Sequence, residues 1–485
     1  MGFGLYKKSK KMKYLVILVL ILSSISLNAQ RGHDIKFEIE NYNNDTLLLA
    51  YFYGDKQLIY DTVYAEKPGY FELKGDTLIH SGVYIGLVYP SKEYFQFLIN
   101  SEDQDFELKT DYENLENLSV KGSKDNQLFI TYLKYIIDKN KEARELATEK
   151  KKKEDAKSDI SDVEEKIKKL DREVKAYQSK IIENNPASLT AMLIKANTDI
   201  DIPDFEGTKD EIELKRYYYY KKHFFDVIDF NNPAVLYTPF IHNKIETYIE
   251  KLTVPVPDSI ISSIDTVLSK MPLQSDVWKF YVSYFLNKYA RSNYIGMDAV
   301  YVHIAKEYYG KGLTPWVEQN SLVRILDNAL RMENVLIGKT APNITLYTQD
   351  SIPVKIGDIK ADYMVLLFWK PDCGHCKHSM PDVVKFAQEY KDKGVKVVTV
   401  CTKLGKKSKQ CWEGIKELKM EDFDYNLADP KNLSNFHSEY NVRATPTIFV
   451  LDKDKKILIK QIPADKLGEI IDTFIKEKQS ENEKK

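Results

Sequence analysis

At 485 residues, 43% apolar and 12% aromatic, the chain has a globular composition and is too long for one hydrophobic core, which points to about three domains. Its 71 basic and 72 acidic side chains nearly cancel, and no basic patch stands out, which excludes a nucleic-acid footprint. All four cysteines fall between positions 373 and 411, so the first 372 residues hold no disulfide framework.

The N-terminus departs from this balance. Lys7, Lys8, Lys10, Lys11 and Lys13 precede the apolar run Tyr14 to Leu22, and a small-residue tail ends at Leu27-Asn28-Ala29. Residues 1–29 therefore read as a secretory signal cut after Ala29. The run is short of the roughly 20 residues of a bilayer span, so membrane attachment follows only if the segment is retained. No cysteine follows it, so lipid modification is not supported. Cleavage removes five lysines and takes the formal charge from −1 to −6. The mature chain is then mildly acidic and sits where disulfide chemistry is at home.

Residues 30–124 read as a small antiparallel β domain, sandwich-like. Alternation recurs in Ile35 to Ile39, Tyr70 to Leu73, Val83 to Leu87 and Phe106 to Thr110, with turn signals at Asn43-Asn44-Asp45, Pro68-Gly69, Lys74-Gly75-Asp76 and Pro90-Ser91. His33 and His80 stand alone, as surface or turn histidines do.

Residues 125–335 read as an α-helical domain. Phe129, Tyr132, Leu133, Ile136 and Ile137 form one helix face, and the charged run Lys150 to Asp155 follows. Ile160, Val163, Ile167, Leu170, Val174, Tyr177 and Ile181 then recur at alternating spacings of three and four, an a/d seam. Two structures satisfy it: a helical hairpin over 126–184 with the lysine run at its tip, or a coiled coil that makes a homodimer. Beyond Pro186 the helices are rich in aromatics, among them Tyr217 to Tyr220, Trp278, Phe285 and Trp316. At such density most of these rings belong to a core. His223, His242 and His303 have no cysteine or carboxylate at metal-ligand spacing and are assigned no chemistry.

Residues 336–485 carry the chemistry. Strand and helix patterns alternate, which implies an α/β sheet. The apolar run Tyr363 to Phe368 leads into Trp369-Lys370-Pro371-Asp372-Cys373-Gly374-His375-Cys376-Lys377, and a helical period starts near Cys373. Both cysteines thus fall at a strand-to-helix corner. Unpaired N–H groups and the positive dipole end there stabilise a thiolate, lowering a cysteine from about 8.5 toward about 3.5–7.5. One C-x-x-C supplies two of the four ligands of a structural zinc site, so no metal is assigned. Attachment of a c-type haem needs His where Lys377 stands. An inert disulfide leaves the corner and the downstream proline unexplained. Cys401 and Cys411 are either a second disulfide or two separate buried thiols.

The opening Gly338-Lys339-Thr340-Ala341-Pro342, the run Phe368-Trp369 to Cys376-Lys377, Pro381, and Val442-Arg443-Ala444-Thr445-Pro446-Thr447 resemble the TlpA/ResA-like extracytoplasmic thioredoxins, kin to the alkyl hydroperoxide reductase and thiol-specific antioxidant superfamily. The resemblance covers about residues 336–478. It implies a thioredoxin fold behind the β and helical domains, a layout similar to multidomain members of Gram-negative bacteria, and hence a periplasmic thiol-disulfide oxidoreductase. Its partners are protein thiols and disulfides and an unidentified redox donor, with no cofactor. Cys373 is implied as the attacking thiolate and Cys376 as the resolving thiol. Pro446 is implied as the cis-proline facing them, Thr445 as the backbone that pairs with substrate, and Trp369 as packing beneath. Gly374 and His375 tune the thiolate, and the Gly-His dipeptide resembles that of protein disulfide isomerase, which implies a potential nearer about −180 than −270 mV. Three positions depart from the pattern. Leu367 stands where thioredoxin has a buried Asp, and Ser379 where related reductases have Glu. Asp372 replaces the usual Trp, where its charge opposes the thiolate while its side chain could cap the helix. Reduction and isomerisation both remain open. A scaffold role for the thioredoxin unit is the alternative, with a thiol peroxidase behind it.

Overall fold

The computed structural model describes residues 32–483. The signal-peptide assignment to residues 1–29 lies outside them. Among the described residues no helix is long and apolar enough to cross a membrane. The described residues divide into two compact units that part between Glu246 and Thr247.

The first unit opens with β1 (His33–Glu40), β2 (Thr46–Tyr53), β3 (Lys56–Lys67), β4 (Tyr70–Gly75), β5 (Gly82–Val88), β6 (Tyr94–Ile99), β7 (Asp105–Asp111) and β8 (Asn114–Lys121). Among the described residues these form one eight-stranded sheet in the order β6-β5-β2-β3-β4-β1-β7-β8. The sheet is mixed, because β1 pairs antiparallel with β4 but parallel with β7. Period-2 alternation sends Ile35, Phe37, Phe71, Leu73, Phe106 and Leu108 to one buried face, where the register sets Phe37 beside Phe71 and Leu108. Of the two histidines, His33 departs from a surface or turn position, while His80 lies half-buried in the loop before β5. His33 is buried, with Nδ1 2.7 Å from the Thr77 carbonyl oxygen. His80 packs among tyrosines, its ring 4.0 Å from that of Tyr237 and 4.7 Å from that of Tyr51. Neither position is legible from local pattern, since both contacts cross between elements.

Helix α1 (Lys124–Asp155) starts at an N-cap made by Ser123. Asn126, the third residue of the helix, turns its amide on the open edge of β6, accepting from Leu98 N–H at 2.7 Å and donating to Leu98 O at 2.8 Å. Helix α2 (Ser161–Asn184) runs back along α1. Val163 and Leu170 of the seam bury against Leu146 of α1, and Lys150 and Lys153 of the lysine run pair with Glu164 and Asp162 across the turn at 2.8 and 2.6 Å. The seam is thus covered within the chain. Helices α3 (Leu189–Ala196), α4 (Lys209–His223) and α5 (Ile241–Glu246) complete this unit. The tyrosines of α4 differ from the core expectation, because no residue of that helix is buried.

The second unit begins with α6 (Pro257–Ser269), α7 (Asp276–Ala290), α8 (Asp298–Ile304) and α9 (Gln319–Glu333). On α7, Trp278, Tyr281 and Phe285 are core. There follow β9 (Thr345–Tyr347), β10 (Pro353–Lys355), β11 (Tyr363–Trp369), α10 (Gly374–Tyr390), β12 (Val395–Leu404), α11 (Lys409–Glu417), β13 (Tyr425–Asp429), α12 (Phe436–Glu439), β14 (Thr447–Asp452), β15 (Ile457–Lys460) and α13 (Leu467–Glu483). The sheet order is β10-β9-β13-β12-β11-β14-β15. β11 is an interior strand, parallel to β12 and antiparallel to β14, and buried at every residue. A strand covered on both faces needs apolar side chains at every position, which is why its run is unbroken. Its odd positions, Val365, Leu367 and Trp369, face the layer that contains α10. Its even positions, Met364, Leu366 and Phe368, face Phe436 and Tyr440. This is the thioredoxin fold, preceded by a β domain and helices.

Candidate functional site

The strand β11 delivers the chain to the centre of the sheet edge, and a short turn later α10 begins. Its N-cap is Cys373, with extended φ −99° and ψ 117°, and the sulfur accepts the backbone N–H of Cys376 at 3.3 Å. The Cys373 sulfur thus takes the place of the usual capping oxygen. Asp372 does not cap the helix. It points outward, and Lys403 of β12 donates to its Oδ2 at 2.7 Å. That ammonium holds the Asp372 carboxyl below the usual carboxylate range and offsets the charge that would oppose a thiolate.

Cys373 is 8% exposed and Cys376 fully buried. Both are unbonded, and the Cys373 thiol donates to the Thr445 carbonyl oxygen at 3.1 Å. The Thr445–Pro446 peptide is cis. Burial pushes the Cys373 thiol up, but hydrogen bonds with the Cys376 thiol, the Thr445 side chain and the backbone N–H groups of Cys376 and His375 outweigh it, and the net shift is downward. Burial, then the contact with Cys373, pushes Cys376 up to about 11. The pair is therefore asymmetric, with the outer cysteine disposed to ionise and the inner one to keep its proton. His375 acts on the sulfur through its backbone N–H, while its side chain is exposed. A side chain at Gly374 would meet nothing within 4 Å.

Trp369 is fully buried in the same apolar cluster as Cys373, Cys376 and Leu367. Leu367 leaves that interior without a carboxylate that could take the Cys376 proton, and the high value for Cys376 comes from burial and the neighbouring Cys373. Cys401 lies opposite Trp369 in the β11–β12 register and is bonded to Cys411 of α11, with 5.9 Å between their Cα atoms. Neither sulfur of that bridge reaches solvent. Gly414, one turn further along α11, lets the helix approach closely, since a Cβ there would sit 2.7 Å from Pro371 and 3.1 Å from the Trp369 ring. Lys377 reaches the same helix through Glu417 at 2.7 Å. Local sequence reading missed Lys403, Glu417 and Gly414, because each meets the motif only through the packing of β12 and α11.

Beside the pair lies a cavity of about 430 Å³ lined by His375, Ser379, Arg443, Thr445, Pro446 and Gln461, among others. Among the described residues no group of three or more His, Cys, Asp or Glu side chains is placed to hold a metal ion.

Comparison with known proteins places this geometry. Residues 336–473 match the Redoxin family, while residues 33–129 and 148–334 match two domains of unknown function, DUF4369 and DUF5106. A thiol-disulfide oxidoreductase ResA of Bacillus cereus is 28% identical over 131 residues, 27% of this chain and 72% of that protein. A domain of a possible thiol-disulfide isomerase from Cytophaga hutchinsonii is 28% identical, with 30% of this chain and 97% of that one covered and a TM-score of 0.28. A thioredoxin-like protein from Bacteroides caccae is 18% identical over 56% of this chain and 98% of that one, with a TM-score of 0.42. Residues 336–473 thus have the thioredoxin fold, match the Redoxin family and are similar to ResA-type thiol-disulfide oxidoreductases, behind two segments that match domains of unknown function.

Proposed function

We propose that this protein is an extracytoplasmic thiol-disulfide oxidoreductase, working in the periplasm of a Gram-negative bacterium on the cysteines of other proteins. The observation that carries this reading is the asymmetric pair: Cys373 at the helix cap, lowered and 3.1 Å from Thr445 O, above a buried Cys376 held at about 11.

In the reductive direction the Cys373 thiolate attacks one sulfur of a substrate disulfide. The substrate S–S bond breaks, a Cys373–substrate disulfide forms, and the departing thiolate takes a proton. Cys376 then gives up its proton and attacks the Cys373 sulfur, so the second substrate sulfur leaves as a thiol. Substrate gains two electrons and the Cys373–Cys376 dithiol loses them. The hydrogen bond from the Cys373 thiol to Thr445 O belongs to the protonated form and is given up on ionisation, which frees that carbonyl for the backbone of an incoming extended segment. Reduction, isomerisation and oxidation differ only in which form the donor maintains. The Gly374-His375 pair supports a potential nearer that of protein disulfide isomerase than of thioredoxin.

Trapping with Cys376→Ala in the exported protein tests the reading. The second step is then blocked, and mixed disulfides through Cys373 are expected with extracytoplasmic proteins. Their absence under both oxidising and reducing growth, with function retained in Cys373→Ser, would leave a scaffold role for the domain instead.

A further inference from the structure

The cavity beside the cysteines has a charge character that thiol exchange alone does not require. No carboxylate lines it, and its one permanent cation is Arg443, which is exposed two residues before Thr445. Among the described residues no acid pairs with this guanidinium. It is held instead by neutral oxygens: Nε donates to Asn441 Oδ1 and Nη2 to Asn328 Oδ1, each at 3.0 Å. Asn328 belongs to α9, 115 residues earlier and inside the DUF5106 segment. Two amide acceptors orient a guanidinium without neutralising it, and the remaining N–H donors are free for an anion.

We propose that Arg443 selects protein substrates carrying an acidic residue next to the target cysteine, and that Asn328 is the positioning residue that aims it. The inference rests on the thiol-exchange reading above and adds the substrate's chemistry. Arg443 lies at most about 7 Å along the chain from Thr445. A segment that sets its cysteine sulfur on Cys373 and its backbone beside Thr445 therefore brings a side chain one or two residues from that cysteine to the guanidinium. Asp or Glu gains a charge-assisted, bidentate partner there, whereas Lys or Arg meets a like charge. The helical segment before the redoxin domain thereby shapes the substrate-facing rim through one residue.

The test uses the full-length reduced protein and symmetrical disulfides of one short peptide with Glu, Gln or Lys two residues from its cysteine. Each turnover yields two peptide thiols and the Cys373–Cys376 disulfide. In this single turnover the Glu peptide is expected to react with a second-order rate constant about three- to fivefold larger than the Lys peptide, the range of an exposed ion pair, with the ratio falling as salt is raised. Arg443→Gln should bring the ratio toward one, Arg443→Lys should retain part of it, and Asn328→Leu should lower it while Arg443 is still present. A ratio unchanged in Arg443→Gln, or no charge preference in the unaltered protein, overturns the inference alone. No reaction with any peptide overturns the thiol-exchange reading and the inference with it.

Discussion

Cys373 and Cys376 are three residues apart yet titrate in opposite directions, and the linkage to stability follows from each sign. The native value of Cys373 lies below its ordinary 9.0, so its contribution to the reduced fold is complete above that value and is lost as pH falls through the native one. Cys376 is raised, so its contribution is complete below 9.0 and is lost as pH climbs toward about 11. The reduced protein should lose stability between pH 9 and 11 relative to the oxidised form, and Cys376→Ala should remove that decline, as read from denaturation midpoints. Alkylation by iodoacetamide at about neutral pH should mark Cys373 and spare Cys376. Lys403→Ala uncovers the Asp372 charge beside the sulfur, so the alkylation midpoint of Cys373 should move to higher pH. An unmoved midpoint would mean that the ion pair does not act on the thiolate.

Among the elements, the start of α1 joins more than its helix propensity explains. Asp125 is buried and accepts from the N–H of Leu189 at 2.7 Å, the N–H and hydroxyl of Thr190 at 3.1 and 2.6 Å, and the Asn100 amide at 3.0 Å. It thereby caps α3 from outside while tying α1 to the loop after β6. Removing one acceptor strands several buried donors, each costing about 1–3 kcal/mol. Asp125→Ala should therefore destabilise the first unit by about 3 kcal/mol or more, and Asp125→Asn by less, since one oxygen remains. All four tryptophans lie in residues 247–485, so far-UV circular dichroism should report the loss while the tryptophan transition stays in place.

The second unit is larger than its redoxin domain. Lys460, at the end of β15, is buried, pairs with Asp298 at the start of α8 and donates to the Val335 carbonyl at 2.6 Å. The helices before the redoxin domain thus supply the counter-charge to a lysine inside it. Taking away one member of a buried pair leaves an uncompensated charge, at a cost of about 3–5 kcal/mol. Asp298→Ala should lower the tryptophan-detected denaturation midpoint accordingly, and a midpoint within error of the unaltered protein would refute the coupling. Arg443 with Asn328 is a second link between the same segments. The helical segment accordingly meets residues 336–473 at both Lys460 and Arg443.

Much of this was readable from the chain alone because it is local. Seven apolar residues in a row, a C-x-x-C at the following corner and a helical period after it require only near neighbours, and β11, Cys373 and α10 stand where those signals put them. The three-and-four spacing of Val163, Leu170 and their neighbours likewise marked a seam, though whether it closes within the chain depended on α1 lying alongside. What only the tertiary structure decided involves partners far apart in sequence. Thr445 O meets Cys373 across 72 residues, Lys403 meets Asp372 across 31, and His303 meets Asp265 across 38. No periodicity encodes such pairs, because they depend on which strands neighbour each other and in what register. The place of the two cysteines was therefore legible in the sequence, whereas the charges and backbone groups around them arise from the packing of β12, α11, α9 and the loop before β14.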